Sequence, residues 1–295
     1  MLPPDQLHQR VKSAYGRLRR CDLCPHDCGV NRIAGETGVC RAGSRPRIAS
    51  ANIHRGEEPP ISGSRGSGTI FLTGCSLSCR FCQNFPISQL DNGEELTPSE
   101  LAGRMLRLQE RKAHNINFVT PTHYLPQILA AIRMALDRGF SLPIVWNSSG
   151  YEKVDALELL DGVVDIYLPD MKYHDDATAR NYSSAPGYRE VNQAAVREML
   201  RQVGHPAMDD DGVATRGLII RHLVLPEGAD GAAGILPWIA DNLGRETHVS
   251  LMKQYFPAHR AAETPALGRK LTDAEYDAAV TILEDVGLEN GWVQE

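Results

Sequence analysis

Cysteine is missing from most of the chain, because none occurs after residue 82. All seven cysteines fall in two groups before that point, namely Cys21, Cys24, Cys28 and Cys40, then Cys75, Cys79 and Cys82. Disulfide frameworks of secreted proteins use an even number of cysteines spread over the chain. An odd number in two tight groups instead indicates metal ligation in a reducing compartment, and we predict a cytoplasmic protein.

Long hydrophobic runs are absent as well. A membrane-spanning helix requires about 20 consecutive apolar residues, and no run in this sequence approaches that length. The first residues, Met1-Leu2-Pro3-Pro4, lack the basic-then-apolar order of a signal peptide. We therefore expect no membrane partner.

An excess of positive charge is also lacking, since the formal net charge of the chain is −6. Residues 1–47 are the exception, with nine Lys or Arg against four Asp or Glu, a local net of +5. Such a basic arm suits a phosphate or an acidic electron donor such as flavodoxin or ferredoxin. Because its arginines are scattered among cysteines, it does not favour nucleic acid as a partner.

The most informative segment runs from Gly74 to Cys82, directly after an apolar strand, and spaces its cysteines as C-x3-C-x2-C. Three thiolates are one fewer than the four that normally hold a [4Fe–4S] cluster, so one iron is left open to another ligand. The polar residues between the cysteines argue against buried structural thiols. Zinc is disfavoured because the next histidine, His114, lies beyond a predicted helix.

This segment resembles the signature of the radical SAM superfamily, which includes an aromatic residue, here Phe81, just before the last cysteine. The resemblance implies a [4Fe–4S] cluster at Cys75, Cys79 and Cys82 whose open iron binds the amino and carboxylate groups of S-adenosylmethionine (SAM). It further implies reductive cleavage of SAM to a 5′-deoxyadenosyl radical that abstracts hydrogen from a substrate. We therefore expect an enzyme.

From Thr69 onward, short apolar runs alternate with helical patterns at the length of βα units. Six units are too few to close an eight-stranded barrel, so we predict an α/β fold, a partial (β/α)6 TIM-like barrel of parallel strands. The predicted strands are Thr69–Leu72, Ile116–Val119, Pro143–Trp146, Val164–Leu168, Leu218–Val224 and His248–Met252. Helices are predicted to begin at the capping boxes of Thr97 and Thr272 and to cover Leu125–Leu136, Glu152–Leu160, Tyr188–Val203 and Ala232–Leu243.

The Gly/Ser-rich run from Ser62 to Gly68 predicts a loop or hinge. We place a domain boundary there. Residues 1–62 are predicted to form a helix from Gln6 to Arg20 and a small Cys-rich metal-binding extension, and residues 63–295 the partial barrel.

Polar residues follow the predicted strands, at the end where parallel α/β enzymes build their active sites. Asp170 and Lys172 share one side of an extended chain and suit either a polar ligand or cation, or a surface ion pair. Arg221 lies inside an apolar strand and must be paired, which suits the carboxylate of the methionine moiety or of a substrate. We assign these three residues to catalysis. His222 is predicted to point the other way, as a satisfied buried histidine.

The order of these motifs resembles the activating enzymes of pyruvate formate-lyase within the radical SAM superfamily. Asp165 to Lys172 resembles their Asp-x-Lys segment near a substrate glycine and a bound cation, and Ile220 to Pro226 resembles their Arg-bearing fifth strand. In two departures, Thr120-Pro121-Thr122 replaces a Gly-Gly-Glu-like turn and Asn147 replaces an Asp. The resemblance implies cofactor contacts at Phe81, Thr120, Thr122, Asn147, Ser149 and Arg221.

The first cysteine group has the spacing Cys21-x2-Cys24-x3-Cys28-x11-Cys40 and supplies four thiolates. Four thiolates close either a tetrahedral zinc site or a second [4Fe–4S] cluster, and the spacing does not separate the two metals. Extra iron–sulfur clusters are common in radical SAM proteins, so the resemblance favours iron.

Three functions remain open from the sequence. The first is activation of a partner enzyme by making a glycyl radical, which requires a peptide loop to lie beside Asp170 and Lys172. The second is radical modification of a small metabolite or peptide, assisted by the four-Cys group. The third, from another class, is a non-catalytic iron–sulfur or zinc protein, which would bind metal without turning over SAM.

Overall fold

The computed structural model of the protein describes residues 2–294. Its strands form one sheet. They are β1 (Arg47–His54), β2 (Ser67–Leu72), β3 (Glu94–Glu95), β4 (Ile116–Val119), β5 (Ile144–Ser148), β6 (Ile166–Pro169), β7 (Ala207–Met208), β8 (Ala214–Leu223), β9 (His248–Met252) and β10 (Gly291–Val293). The order of neighbours is β10-β9-β8-β6-β5-β4-β2-β1-β3, with β7 paired to β8.

Six neighbouring strands, β2, β4, β5, β6, β8 and β9, run parallel to one another. They are the six strands predicted from the apolar runs, and the partial-barrel fold is confirmed. The bounds of β4 and β9 agree with the prediction, whereas β8 begins earlier, at Ala214, where β7 pairs with it. The sequence analysis missed β10, a further parallel strand beside β9, and β1, which lies antiparallel to β2.

The helices flank this sheet. They are α1 (Pro4–Gly16), α2 (Pro59–Ser62), α3 (Phe85–Ser88), α4 (Pro98–Glu110), α5 (Leu125–Leu136), α6 (Val154–Leu157), α7 (Asp176–Ser183), α8 (Tyr188–Val203), α9 (Ala232–Leu243) and α10 (Asp273–Asp285). Both predicted capping boxes form, because Thr97 and Thr272 each exchange hydrogen bonds with the Glu three residues later. The helix predicted over Glu152–Leu160 is only one α-helical turn followed by a 3-10 turn.

The predicted loop from Ser62 to Gly68 is wrong at both ends. Ser62 closes α2, and Ser67 already belongs to β2, so the turn is confined to four residues. Ser67 and Gly68 are buried, and the close neighbours of Gly68 leave no room for a side chain there. An added Cβ at Gly68 would lie 2.7 Å from the carbonyl oxygen of Asn115.

Two apolar layers hold the sheet. Trp146, Phe118 and Ile220 belong to the large core between sheet and helices. On the opposite, concave face, Ile61 of α2 packs with Val145 of β5 and Ile219 of β8, together with Ile166, Leu168 and Ala214. The segment between β1 and β2 therefore packs against the concave face of the sheet, inside the partial barrel.

The boundary predicted between residues 62 and 63 stays a prediction. In the structure, β1 of the first segment is hydrogen-bonded to β2 of the second over six residue pairs. Within residues 2–294, no helix is long and apolar enough to cross a membrane.

Candidate active site at the strand ends

The three-cysteine loop leaves the carboxyl end of β2, and its sulfur atoms receive hydrogen bonds from neighbouring groups. The main-chain N–H of Leu77 donates to Cys75 Sγ over 3.3 Å, and Ser183 Oγ donates to Cys79 Sγ over 3.0 Å. Cys82 Sγ lies 3.2 Å from Ser88 Oγ. Hydrogen bonds to sulfur are a main means by which proteins set the reduction potential of iron–sulfur clusters. Ser183, at the end of α7, carried no signal in the sequence.

A cavity of about 200 Å³ opens beside this loop. Several residues predicted for catalysis and cofactor binding meet there, although they are far apart in the chain. The cavity is lined by Cys79, Phe81, Cys82, Gln83, Asn84, Asp170, Lys172, Arg221, Leu223, Met252 and Gln254. Because these residues lie at or after the carboxyl ends of four parallel strands, β2, β6, β8 and β9, only the fold brings them together.

Asp170 lies between two cations at the centre of the cavity wall. Lys172 Nζ is 2.5 Å from Asp170 Oδ2, and Arg221 Nε is 2.9 Å from Oδ1. Burial opposes ionisation of Asp170, but the charges of Arg221 and Lys172 outweigh it and lower the pKa of this carboxyl. Burial likewise opposes the charge of Lys172, yet Asp170 raises the pKa of the ammonium. All three groups are therefore charged at neutral pH.

Arg221 has further partners deeper in the barrel. Its Nη2 donates to Asn147 Oδ1 over 2.8 Å, and its Nε is 3.9 Å from Glu58 Oε1. The predicted pairing of Arg221 is present, with protein groups as its partners. Its contact with a ligand carboxylate stays a prediction.

The sequence analysis missed Glu57 and Glu58. Both lie on the segment that enters the barrel, with side chains only 7% exposed. Burial raises the pKa of Glu57, against the lowering effect of Arg221. Glu58 Oε2 is buried and has no hydrogen-bond partner within residues 2–294. The signal was a charged pair directly before the two prolines that begin α2.

The segment that replaces the Gly-Gly-Glu-like turn is built around a buried acid, Glu152. Its Oε1 accepts from Thr122 Oγ1 and Trp146 Nε1, and its Oε2 accepts from Ser148 Oγ. Burial raises the pKa of Glu152, against the lowering effect of these three donors. Thr122 is thus turned away from the cavity. Thr120 adopts a left-handed φ of 58°, the conformation for which a glycine would ordinarily be used.

Some of the residues predicted to contact the cofactor lie outside the lining of the cavity. The main-chain oxygen of Ser149 accepts from Tyr188 Oη, and neither Ser149 nor Thr120 lines the cavity. Their roles, like those of Phe81, Thr122 and Asn147, stay predictions. His222 is buried on the far face, where Nδ1 donates to Met171 O and Nε2 pairs with Asp230, as expected.

The four-Cys module, residues 21–40, packs directly against the three-cysteine loop. His26 Nε2 donates to the carbonyl oxygen of Ser76 over 2.7 Å. The carbonyl oxygen of Cys40 touches Gly74, where an added Cβ would lie only 2.6 Å away. Gly74 has a φ of 84°, so both its conformation and its contact exclude a side chain.

The donor chemistry of the three-cysteine loop fits an iron–sulfur cluster, and the four thiols of the first group fit either a second cluster or zinc. Within residues 2–294, no group of three or more His, Cys, Asp or Glu side chains is arranged so that it could hold a metal ion. The thiols are nevertheless neighbours: Cys40, Cys21 and Cys28 all act on the charge of Cys24, whose pKa burial raises to about 12. Burial raises the pKa of Cys79 to about 11 despite the charge of Lys172. Buried thiols of this kind become thiolates when a metal cation compensates their charge.

Comparison with known proteins identifies a family and several relatives to which this chain is similar. The model of the radical SAM superfamily matches residues 69–208. MJ0674, an uncharacterized protein of Methanocaldococcus jannaschii, is 32% identical over 296 residues, which cover 97% of this chain and 80% of the relative. The pyruvate formate-lyase-activating enzyme of Clostridium pasteurianum is 26% identical over 239 residues, covering 77% of this chain and 92% of the relative.

Among solved structures, HydG, a maturase of the [FeFe]-hydrogenase, aligns with a TM-score of 0.53 at 13% identity. The alignment covers 100% of this chain and 65% of HydG, so the chain spans less than two thirds of that protein. At this identity the likeness establishes the fold alone. The family model, however, spans the cysteine loop and the strands from β2 to β6. We conclude that the chain belongs to the radical SAM superfamily.

Proposed function

We propose that this protein is an enzyme that cleaves SAM reductively at a [4Fe–4S] cluster held by Cys75, Cys79 and Cys82, and abstracts hydrogen from a substrate above the strand ends. The supporting observation is the cavity in which two of these cysteines meet Asp170 and Lys172. Membership of the superfamily implies both SAM and the cluster. When bound, the cluster supplies the electron that splits the sulfonium of SAM into methionine and a 5′-deoxyadenosyl radical.

The chain's own charges are proposed to orient SAM and substrate. Lys172 lies close enough to Cys79 for each to shift the pKa of the other, and we assign it to a carboxylate of SAM or substrate. Asp170 and Arg221 fix the position of Lys172 through their shared ion pair. A further cofactor contact is proposed for Phe81, which lines the cavity, and others for Thr120, Asn147 and Ser149 at the strand ends.

Two substrate classes fit the open side of the cavity. Activation of a glycyl-radical enzyme is favoured by the relative from Clostridium pasteurianum, whose name describes that activity. In that case a peptide loop of the partner lies beside Asp170 and Lys172. Modification of a small metabolite or peptide is the second class, with the four-Cys module assisting.

An electron donor is required in either case. We propose flavodoxin or ferredoxin, because such carriers are acidic and two exposed arginines, Arg41 and Arg45, directly follow the four-Cys module. Arg41, Arg45 and Arg47 line a cavity of about 310 Å³ together with Tyr124 and one carboxylate, Glu95. The seven free thiols also suit a reducing compartment, so the cytoplasm is the proposed location.

The test is anaerobic incubation of the reconstituted protein with SAM and dithionite, followed by an assay for 5′-deoxyadenosine. The Cys75/Cys79/Cys82→Ala variant is the control. We expect the wild type alone to form the product. If the wild type holds an intact cluster and forms none, a non-catalytic iron–sulfur or zinc protein becomes the better description.

A further inference from the structure

The end of α7 is joined to the three-cysteine loop by two main-chain hydrogen bonds. The carbonyl oxygen of Ser183 accepts from the N–H of Ser78 over 2.9 Å. The carbonyl oxygen of Tyr182 accepts from the N–H of Arg80 over 2.8 Å. Because these bonds need no side chain, they hold position 183 beside Cys79 whichever residue occupies it.

Two buried hydroxyl groups form a chain that ends on the sulfur of Cys79. Ser183 Oγ lies 3.0 Å from Cys79 Sγ and 2.6 Å from Tyr173 Oη. The two residues are 0% and 2% exposed, respectively. A cysteine bound to iron is a thiolate without a proton, so Ser183 is the donor in its contact with Cys79. Serine has a single O–H, so Tyr173 must donate to Ser183.

The surroundings of this chain are otherwise apolar. Cys75 and Cys79 pack against a buried cluster that includes Leu77, Phe81 and the ring of Tyr173. Reduction adds a negative charge to an iron–sulfur cluster, and apolar surroundings disfavour that charge. Two aligned O–H groups direct the positive ends of their dipoles toward the sulfur. Such dipoles act more strongly in a medium of low dielectric constant, where each also polarises the next.

We propose that the hydrogen-bond chain from Tyr173 through Ser183 to Cys79 raises the reduction potential of the [4Fe–4S] cluster, and so sets how readily the enzyme accepts the electron for SAM cleavage. In this step the cluster gains one electron from the reductant, and no bond or proton is transferred. Both residues act through Cys79 as positioning residues, and neither lines the cavity. This role rests on the proposed function, which supplies the cluster.

A redox titration of the reconstituted protein, followed by electron paramagnetic resonance, tests the proposal. The signal that is missing in the Cys75/Cys79/Cys82→Ala variant is assigned to this cluster. At a fixed ambient potential, we expect Ser183→Ala to lower the ratio of reduced to oxidised cluster about tenfold, which for one electron is a shift of about 59 mV to lower potential. Tyr173→Phe should lower the ratio about threefold, because it removes only the second hydroxyl group of the chain.

Tyr182→Phe is the matched control, because it removes the same atom from a partly buried tyrosine of the same helix, and it should leave the potential unchanged. Iron and sulfide are measured in every variant. If Ser183→Ala fails to hold the cluster, Tyr173→Phe decides, since it keeps the ring and deletes one oxygen atom. An unchanged or raised potential in Tyr173→Phe at full iron content overturns the proposal and leaves the hydroxyl groups a purely structural role. Failure of the proposed SAM cleavage is distinguishable, because the wild type would then form no 5′-deoxyadenosine while the shifts in potential persist.

Discussion

At the scale of single residues, Asp170 controls the arrangement of the candidate site, because it is the shared partner of Lys172 and Arg221. All three side chains are at least four-fifths buried. A buried ion pair adds little net stability, but removing one partner leaves the others uncompensated.

We predict that Asp170→Asn lowers the free energy of unfolding by about 3–5 kcal/mol, because two buried cations lose the carboxylate that they share. Urea unfolding at pH 7 measures this change. Asp241→Asn, at an exposed position that forms no ion pair with any residue from 2 to 294, is the control and should change stability by less than about 0.5 kcal/mol. A loss below about 1 kcal/mol in Asp170→Asn would contradict the assigned charges.

Glu152 gives a pH-dependent prediction. Burial raises the pKa of the Glu152 carboxyl in the folded state above its pKa in the unfolded state. This difference stabilises the fold at a pH below the unfolded pKa, because the carboxyl is then protonated. The stabilisation is lost as the pH rises through the folded pKa. Glu152→Gln keeps the shape and removes the titration. We therefore expect the free energy of unfolding of wild type minus variant to fall with rising pH across that window. A difference that is flat or rises with pH would contradict a raised pKa.

At the scale of secondary-structure elements, the site depends on how loops leave the strands. The turn from β2 into the cysteine loop passes through Gly74, whose left-handed backbone touches Cys40 of the four-Cys module. Gly139, after α5, has nearly the same φ, 85°, but has no atom within 4 Å of an added Cβ. Substitution of these two glycines therefore separates the cost of the left-handed backbone from the cost of the steric contact.

We predict that Gly139→Ala costs about 1–2 kcal/mol, the price of a left-handed alanine. Gly74→Ala should cost more, because the new methyl group also displaces the Cys40 carbonyl. It should in addition make the arginines between residues 17 and 47 more sensitive to limited trypsin digestion. Equal losses of stability and equal digestion in both variants would show that the module does not dock on this turn.

At the scale of the whole molecule, charge is divided between a basic first segment and an acidic remainder. Beside the four-Cys module, three arginines and one carboxylate, Glu95, line a cavity, so this surface carries a net positive charge. Oppositely charged partners associate faster through such surfaces, and salt screens the effect.

We predict that Arg41→Glu/Arg45→Glu slows reduction by flavodoxin at least about tenfold at low salt, with a smaller difference at high salt. Reduction by dithionite, a small molecule, should be unchanged. Arg111→Glu/Arg138→Glu carries the same change in net charge at exposed positions elsewhere and serves as the control. If both double variants slow flavodoxin equally, net charge rather than this surface is responsible.

The sequence by itself determined the family, the parallel strands and the longer helices. The cysteine spacing is local, apolar runs of strand length repeat with helical patterns, and capping boxes act within four residues, so each signal is contained in a short stretch. The bounds of α5, α8, α9, β4 and β9 were predicted for this reason.

Only the tertiary structure decided which charges meet. Asp170, Lys172, Arg221 and Asn147 approach because their strands are neighbours in one parallel sheet, a relation that no local pattern encodes. Glu57 and Glu58 join them because a segment outside the βα pattern folds back into the barrel, where burial raises the pKa of Glu57. The contact of His26 with Ser76 likewise spans 50 residues. Such pairings depend on packing of the whole chain, which is why they could not be predicted from the sequence.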